Sequence, residues 1–358
     1  MNSGFPAFPA TEPSLRCPLC DHTEVPTPFW DERDTPLNGT LSSRYFRCSR
    51  CSLVFLYPLP TREFLSSKYN LDYDYKLFLE NERFKREQAR HRLNAITGLL
   101  NHRPGGPRLL IDLGCGHGFF LHEASVKGWS GIGVETSDQP RGYATNTLGL
   151  KVLSTEFDRQ QFEGECADAV TLWHVIEHIP DPMETIGHIR SVLKPGGVLA
   201  IACPNISSVS AKITKHEWLW LGFPFHLYQF SPKSLRTLLE KEGFEVKKIV
   251  THETYDSNSL PVLLLWHYGT HIARSLGLRK VRHGATTSEG DKEISIYHPG
   301  GFSLSPLQLM AWLLRLVGNA LSILCFPFIY ASWKAGYGTE VEIYAVKKAS
   351  HDPGTIRI

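Results

Sequence analysis

The sequence predicts an α/β fold built on a doubly wound, mostly parallel sheet. Three observations carry the prediction. From residue 109 onward, apolar runs of strand length alternate with segments of helical periodicity, as in parallel strands joined by right-handed helical crossovers. Gly114, Gly116 and Gly118 follow the first of these runs directly and open the next helical segment, so the backbone there can approach a ligand that any Cβ would exclude. Finally, 42% hydrophobic and 21% charged residues are enough to fill a core, which excludes a disordered, collagenous or coiled-coil chain. At 358 residues the chain suits one enzyme-sized domain with a smaller module and a large insertion.

Taken in order, residues 1–13 are expected to be disordered, and they lack the charged and apolar regions of a secretory signal. Residues 14–60 form a four-cysteine module with strand-like runs at 45–47 and 53–57, closed by Pro58 and Pro60. Residues 61–105 supply a lid and a helix over about 77–100, with Phe84, Leu93, Ile96 and Leu100 on its apolar face. The main domain takes 106–254 and 336–350. Its strands are expected at 109–113, 131–135, 151–153, 169–173, 198–203, 244–250 and 341–346. Its helices fall near 119–127, 141–148, 183–193 and 232–242, the last capped by Ser231. Between them, 255–335 reads as an apolar helical insertion with a mobile polar loop at 281–300.

Thirty-eight basic residues against 36 acidic ones leave a net charge of +2. That balance gives no global field for nucleic acid, and no such partner is expected. The cluster Arg83, Lys85, Arg86, Arg90 and Arg92 is interleaved with Glu80, Glu82 and Glu87 and reads as a solvated helix face. Eight cysteines are too dilute for a disulfide scaffold and fit a reducing, cytoplasmic setting. Cys17, Cys20, Cys48 and Cys51 form two CxxC pairs, a spacing that places four thiolates around a structural zinc. Arg16, Arg47 and Arg50 stand ready to offset the charge of that centre. A closed site of this kind is expected to hold 58–75 over the active site as a lid, with Tyr69, Tyr73 and Tyr75 toward substrate.

The run 307–331, broken by Arg315, Gly318, Asn319 and Pro327, reads as a buried helical cap. Peripheral membrane contact in the plane of the interface is the alternative for 307–333, where Trp312, Tyr330, Trp333 and Lys334 suit a boundary. A single span would strand the last strand across the bilayer and is not expected.

The stretch Ile111-Asp112-Leu113-Gly114-Cys115-Gly116-His117-Gly118 is followed about 20 residues later by Glu135, where a carboxylate can accept both hydroxyls of a ribose. Further on stand Trp173-His174-Val175-Ile176-Glu177-His178-Ile179-Pro180-Asp181-Pro182, Leu193-Lys194-Pro195-Gly196-Gly197 and Glu242-Gly243-Phe244. Taken together, these motifs resemble class I S-adenosylmethionine-dependent methyltransferases, in the small-molecule branch that includes the ubiquinone-pathway O-methyltransferases. The N-terminal CxxC pairs resemble those of bacterial methyltransferases of sugar and secondary-metabolite pathways.

The resemblance implies a seven-stranded Rossmann-like methyltransferase sheet and S-adenosylmethionine as cofactor. It places Gly114, Cys115, Gly116 and Gly118 beside the cofactor, Asp112 at its amino group and Glu135 on its ribose diol. Phe157 would lie near adenine, and Trp173 and His174 near the transferred methyl. The chemistry then needs in-line positioning and a base for the acceptor. Imidazoles suit that base, so His174 and His226 are the candidates, with Tyr228 as helper. His174, Glu177 and His178 also spell HxxEH, but Pro180 and Pro182 leave no long helix for a zinc peptidase. A divalent cation held by these three to orient a catechol-like substrate stays open.

The expected activity is methylation of a small-molecule acceptor, such as a sugar, a quinone-like compound or a lipid-linked molecule, with oxygen favoured. Two rivals remain: a zinc-ribbon binding module with an inactive methyltransferase-like domain, and a nicotinamide-dependent dehydrogenase. The dehydrogenase normally wants GxGxxG, and here the third glycine comes one residue early.

Overall fold

The computed structural model describes residues 16–23, 27–29, 35–37, 41–61, 63–65, 79, 81–100, 107–155, 157, 162, 164–215, 218–253, 317, 320 and 324–348. Tyr69, Tyr73, Tyr75, Trp312 and the loop 281–300 lie outside them, as does most of the insertion.

In chain order the elements are β1 (Thr27–Pro28), β2 (Thr35–Leu37), β3 (Leu41–Arg47), β4 (Val54–Tyr57), α1 (Glu82–Leu99), β5 (Leu109–Leu113) and α2 (Phe119–Val126). There follow β6 (Ser130–Val134), α3 (Asp138–Gly142), β7 (Val152–Leu153), β8 (Ala167–Trp173), α4 (Pro182–Val192) and β9 (Leu193–Pro204). The last are α5 (Val209–Thr214), β10 (Tyr228–Gln229), α6 (Pro232–Lys241), β11 (Phe244–His252) and β12 (Glu340–Lys347).

Seven strands form the central sheet in the order β11-β12-β9-β8-β5-β6-β7. β12 runs antiparallel to both of its neighbours, and the other pairings are parallel. The central strands β5, β8 and β9 are apolar on both faces rather than alternating, and almost all of their residues are buried, as a sheet covered by helices on both sides requires. Pro182 opens α4 behind Asp181, whose side chain accepts from the Glu184 backbone N–H at 2.9 Å. Ser231 and Ser234 bond reciprocally at the start of α6, and Leu235, Leu238 and Leu239 bury its inner stripe.

α1 begins at Glu82, later than the helical periodicity suggested, and buries Ala89, Leu93 and Ile96 against the sheet. Here one expectation is corrected. Arg92 is not on a solvated face: its guanidinium is buried, pairs with Glu340, reaches Glu342 at 2.7 Å and lies 4.3 Å over the Trp173 ring. The acidic partners sit on β12, about 250 residues away, which is why local charge spacing hid them.

The four-cysteine module is a small antiparallel sheet, β1-β3-β4-β10, whose last strand comes from the main domain. Tyr228 pairs with Phe55 and Gln229 with Val54. Lys233 and Lys241 of α6 donate to the carbonyls of Arg50 and Leu19, each at 3.0 Å. The module is therefore built into the domain beside α6.

Of the apolar insertion, residues 324–334 are helical. Ile329 is buried, and the Trp333 carbonyl accepts from the Thr251 hydroxyl at 2.6 Å. Phe328 on the same helix is 85% exposed. Among the described residues, no helix is long and apolar enough to cross a membrane.

Candidate active site

The turn after β5 has three left-handed glycines, Gly114, Gly116 and Gly118, at φ of 62°, 54° and 78°. That region costs a side-chain-bearing residue about 1–2 kcal/mol. The three differ in what surrounds them. A Cβ on Gly114 would lie 2.5 Å from the Val175 side chain, and one on Gly118 would lie 2.5 Å from Leu150. A Cβ on Gly116 meets nothing within 4 Å. Two glycines thus serve packing, whereas the third faces open space. Cys115 turns inward, with its sulfur 2.5 Å from where a Gly133 Cβ would sit.

Glu135, just past β6, braces this turn. Its carboxylate accepts from the Gly116 and Ser137 backbone N–H groups at 2.9 and 2.8 Å. Asp112, the fourth residue of β5, is 1% exposed. Thr171 donates to its Oδ1 at 2.6 Å, while Oδ2 is buried with no partner. Burial raises its pKa to about 7, against the Thr171 hydrogen bond and the Arg92 charge. An orphaned carboxylate oxygen, a bare glycine and a ribose-spaced glutamate fit the ammonium and ribose of an adenosyl amino acid.

The end of β8 carries the second half of the site. His174 has a left-handed backbone at φ 59°, rare for a residue with a side chain and commonest at functional positions. Its Nε2 is 3.1 Å from Glu340 Oε2, and its Nδ1 is 3.7 Å from Glu177 Oε1. Burial alone would lower its pKa, but Glu340 and Glu177 together raise it to about 10. His174 is therefore an imidazolium at neutral pH, which does not suit the expected general base. Trp173 packs its ring against Phe120 at 5.1 Å, and its indole N–H is buried without a partner.

His226 lies across from this turn. Its Nδ1 is 2.9 Å from the Trp220 carbonyl. A carbonyl can only accept, so Nδ1 carries the proton and Nε2 the lone pair. Burial, with the His178 charge adding to it, lowers the His226 pKa to about 3. His178 is held in the same way, Nδ1 to the Phe225 carbonyl at 3.0 Å, and burial lowers its pKa too. Tyr228, the expected helper, is 3% exposed and donates to the Pro180 carbonyl at 2.8 Å, so it braces the turn. Phe157 packs on Phe162, ring centroids 5.8 Å apart, at the edge of the core. The spacing reading missed Glu340 and Tyr45. Tyr45 donates to the His226 carbonyl at 2.6 Å.

The four cysteine sulfurs lie within 4.8 Å of one another, with Cys17 to Cys51 at 3.5 Å and Cys20 to Cys48 at 3.6 Å. A tetrahedral zinc with bonds of about 2.3 Å needs sulfurs about 3.8 Å apart. The set fits a zinc ion closely.

Comparison with known proteins finds methyltransferases. Residues 82–249 match the family profile described as a methyltransferase domain. This part of the chain is similar to a methyltransferase domain. Over 103 residues, the chain is 36% identical to the ubiquinone biosynthesis O-methyltransferase of Dechloromonas aromatica (strain RCB), covering 27% of this chain and 44% of that protein. Over 182 residues it is 28% identical to the mitochondrial ubiquinone biosynthesis O-methyltransferase of Homo sapiens, covering 44% of this chain and 47% of that one. The chain thus spans about half the length of the curated relatives it matches. The solved structure of a SAM-dependent methyltransferase from Archaeoglobus fulgidus is also similar, at 21% identity and a TM-score of 0.43, covering 76% of this chain and all of that one. The glycine turn, Asp112, Glu135 and the His174–His178 turn all fall inside the matched residues.

Proposed function

We propose that this chain is an S-adenosylmethionine-dependent methyltransferase acting on an oxygen of a small molecule. A sugar, quinone-like or lipid-linked hydroxyl is the acceptor class. The buried, orphaned Asp112 Oδ2, on the strand that leads into the open Gly116 turn, carries this reading: burying an ionisable oxygen without a partner is costly, and the cofactor's ammonium would complete it. The names of the curated relatives favour oxygen as the accepting atom. Zinc in the four-cysteine set is part of the proposal and has a structural role, since four thiolates leave no open coordination position.

When bound, the cofactor supplies an activated methyl group on a sulfonium. The protein's share is placement. Asp112 takes the ammonium, Glu135 the ribose diol, and Gly116 leaves room for the ligand to lie against the backbone. Trp173 and His174, at the end of β8, border the place where the methyl would face an acceptor. Holding both reactants in line converts an improbable encounter into an intramolecular step, a contribution of several kcal/mol.

The test has two stages. S-Adenosylhomocysteine should raise the melting temperature of the purified chain, whereas NAD should not. Labelled cofactor should then transfer methyl to polar or lipid fractions of a cell extract. No stabilisation at saturating S-adenosylhomocysteine would overturn the proposal.

A further inference from the structure

Residues 220–227, between α5 and β10, make a wall beside the end of β8. The Trp220 ring lies 6.2 Å from the His174 ring, tilted by 31°, and its indole N–H is buried without a partner. Buried indole N–H groups normally find an acceptor. The loop is closed on itself. Gly222 turns it with a left-handed backbone at φ 57°, where a Cβ would lie 2.5 Å from the His226 ring. Across that turn the His226 Nδ1–H donates to the Trp220 carbonyl at 2.9 Å. The Phe225 and His226 backbone N–H groups donate to the Gly222 carbonyl at 2.8 and 2.9 Å.

Two sets of bonds tie the loop down. On the main-domain side, the Leu227 N–H donates to the Glu177 carbonyl at 2.8 Å. On the other side the ties run to the four-cysteine module. Tyr45 of β3 donates its hydroxyl to the His226 carbonyl at 2.6 Å, with the Leu221 carbonyl at 3.2 Å, so one group joins both arms of the loop. Its ring meets Phe223 edge-on, centroids 6.2 Å apart. The Leu56 N–H donates to the Leu227 carbonyl at 2.8 Å. Gln229, on the strand that completes the module's sheet, donates its amide to the Leu221 carbonyl at 2.6 Å and lies 3.4 Å from the Tyr45 hydroxyl.

The place of Tyr45 is set in turn by the cysteine knuckle. It pairs with Leu56 across the β3–β4 ladder, and three residues on, the Cys48 N–H donates to the Leu53 carbonyl at 2.9 Å. Tyr45 is itself buried, within the packed join between module and domain.

We infer that Tyr45 is a positioning residue, through which the four-cysteine module holds the 220–227 loop against the acceptor side of the site. Packing fixes the ring, and the ring fixes the hydroxyl, so the module rather than the loop's own backbone sets where Trp220 and His226 stand. The cofactor side is held differently. Asp112 and Glu135 are fixed by Thr171, Gly116 and Ser137, none of which belongs to the module. Removing the Tyr45 hydroxyl therefore loosens the acceptor side and spares the cofactor side. That the loop meets the acceptor rests on the proposed function; the clamp itself does not.

Hydrogen exchange of Tyr45→Phe, with zinc content matched to wild type by elemental analysis, tests the clamp without any acceptor. The Phe225, His226 and Leu227 amides should exchange at least about tenfold faster. Amides of β5 and β6, and the stabilisation by S-adenosylhomocysteine, should stay as in wild type. Unchanged exchange in the loop would overturn the inference, and so would equal acceleration through β5 and β6, which marks a general loss of stability. If the variant fails to fold, exchange of the wild-type protein in mild denaturant decides. The three loop amides should then open together with those of β3 and β4, and opening with β5 instead would overturn the clamp. With labelled S-adenosylmethionine and the lipid and polar extract fractions, Tyr45→Phe should lower turnover about tenfold while KM for the cofactor stays unchanged; full turnover would remove the acceptor role. Failure of the wild-type protein to bind S-adenosylhomocysteine would remove the methyl-transfer reading and leave the exchange result standing.

Discussion

Replacing Gly114 and Gly116 separately by alanine asks whether the turn is bare for packing or for a ligand. Both have left-handed backbones, at φ 62° and 54°, so the conformational cost is shared, at about 1–2 kcal/mol each. The surroundings differ. At Gly114 the new Cβ lies 2.5 Å from a Val175 methyl, so the turn carrying His174 must shift as well. Overpacking of this kind adds about 1–3 kcal/mol, for a total of roughly 2–5 kcal/mol. At Gly116 no atom lies within 4 Å, and only the backbone cost remains. Melting curves with and without S-adenosylhomocysteine read both effects. Gly114→Ala should lower the melting temperature of the free protein more than Gly116→Ala does. Gly116→Ala should bind S-adenosylhomocysteine at least about tenfold more weakly, a loss of about 1.4 kcal/mol or more. Full ligand stabilisation in Gly116→Ala would mean that the open face of the turn is not where the cofactor lies.

Three further outcomes follow from the same geometry. Asp112 has its pKa raised to about 7 in the ligand-free protein, so a cationic ammonium must compete with a proton there. Cofactor affinity should therefore fall as pH drops through 7, reaching about one tenth of its plateau at pH 6; calorimetry showing constant affinity from pH 6 to 8 would remove Asp112 from the ammonium. Arg92→Met leaves Glu340 and Glu342 without their guanidinium partner and should cost about 3–5 kcal/mol in urea unfolding, a loss below about 1 kcal/mol showing that His174 and His252 suffice. Cys48→Ser should abolish stoichiometric zinc by elemental analysis and lower the melting temperature, because three thiolates no longer close the tetrahedron; retained zinc would refute the four-cysteine assignment.

Much of this molecule was legible from local pattern. The apolar runs that became β5, β8 and β9, the Ser231 cap and the CxxC spacing each concern residues within a few positions of one another. The glycine turn was legible too, although spacing could not say which glycine packs and which faces open space. His174 shows where local reading stops. Its sequence neighbourhood suits a general base, but Glu340, on a strand 166 residues later, makes it a cation. Tyr228 fails for a related reason: pairing with β4 of the cysteine module buries it, and its hydroxyl is taken by Pro180.

By itself the sequence determined the α/β layering, the glycine turn after the first strand of the central sheet and the pairing of four cysteines in two CxxC motifs, since periodicity, φ requirements and motif spacing are properties of short stretches. Tertiary structure alone decided the charge states of the histidines and the burial of Arg92. Those depend on burial and on charges from distant strands, and the Coulomb energy between two groups is set by their distance in space rather than along the chain.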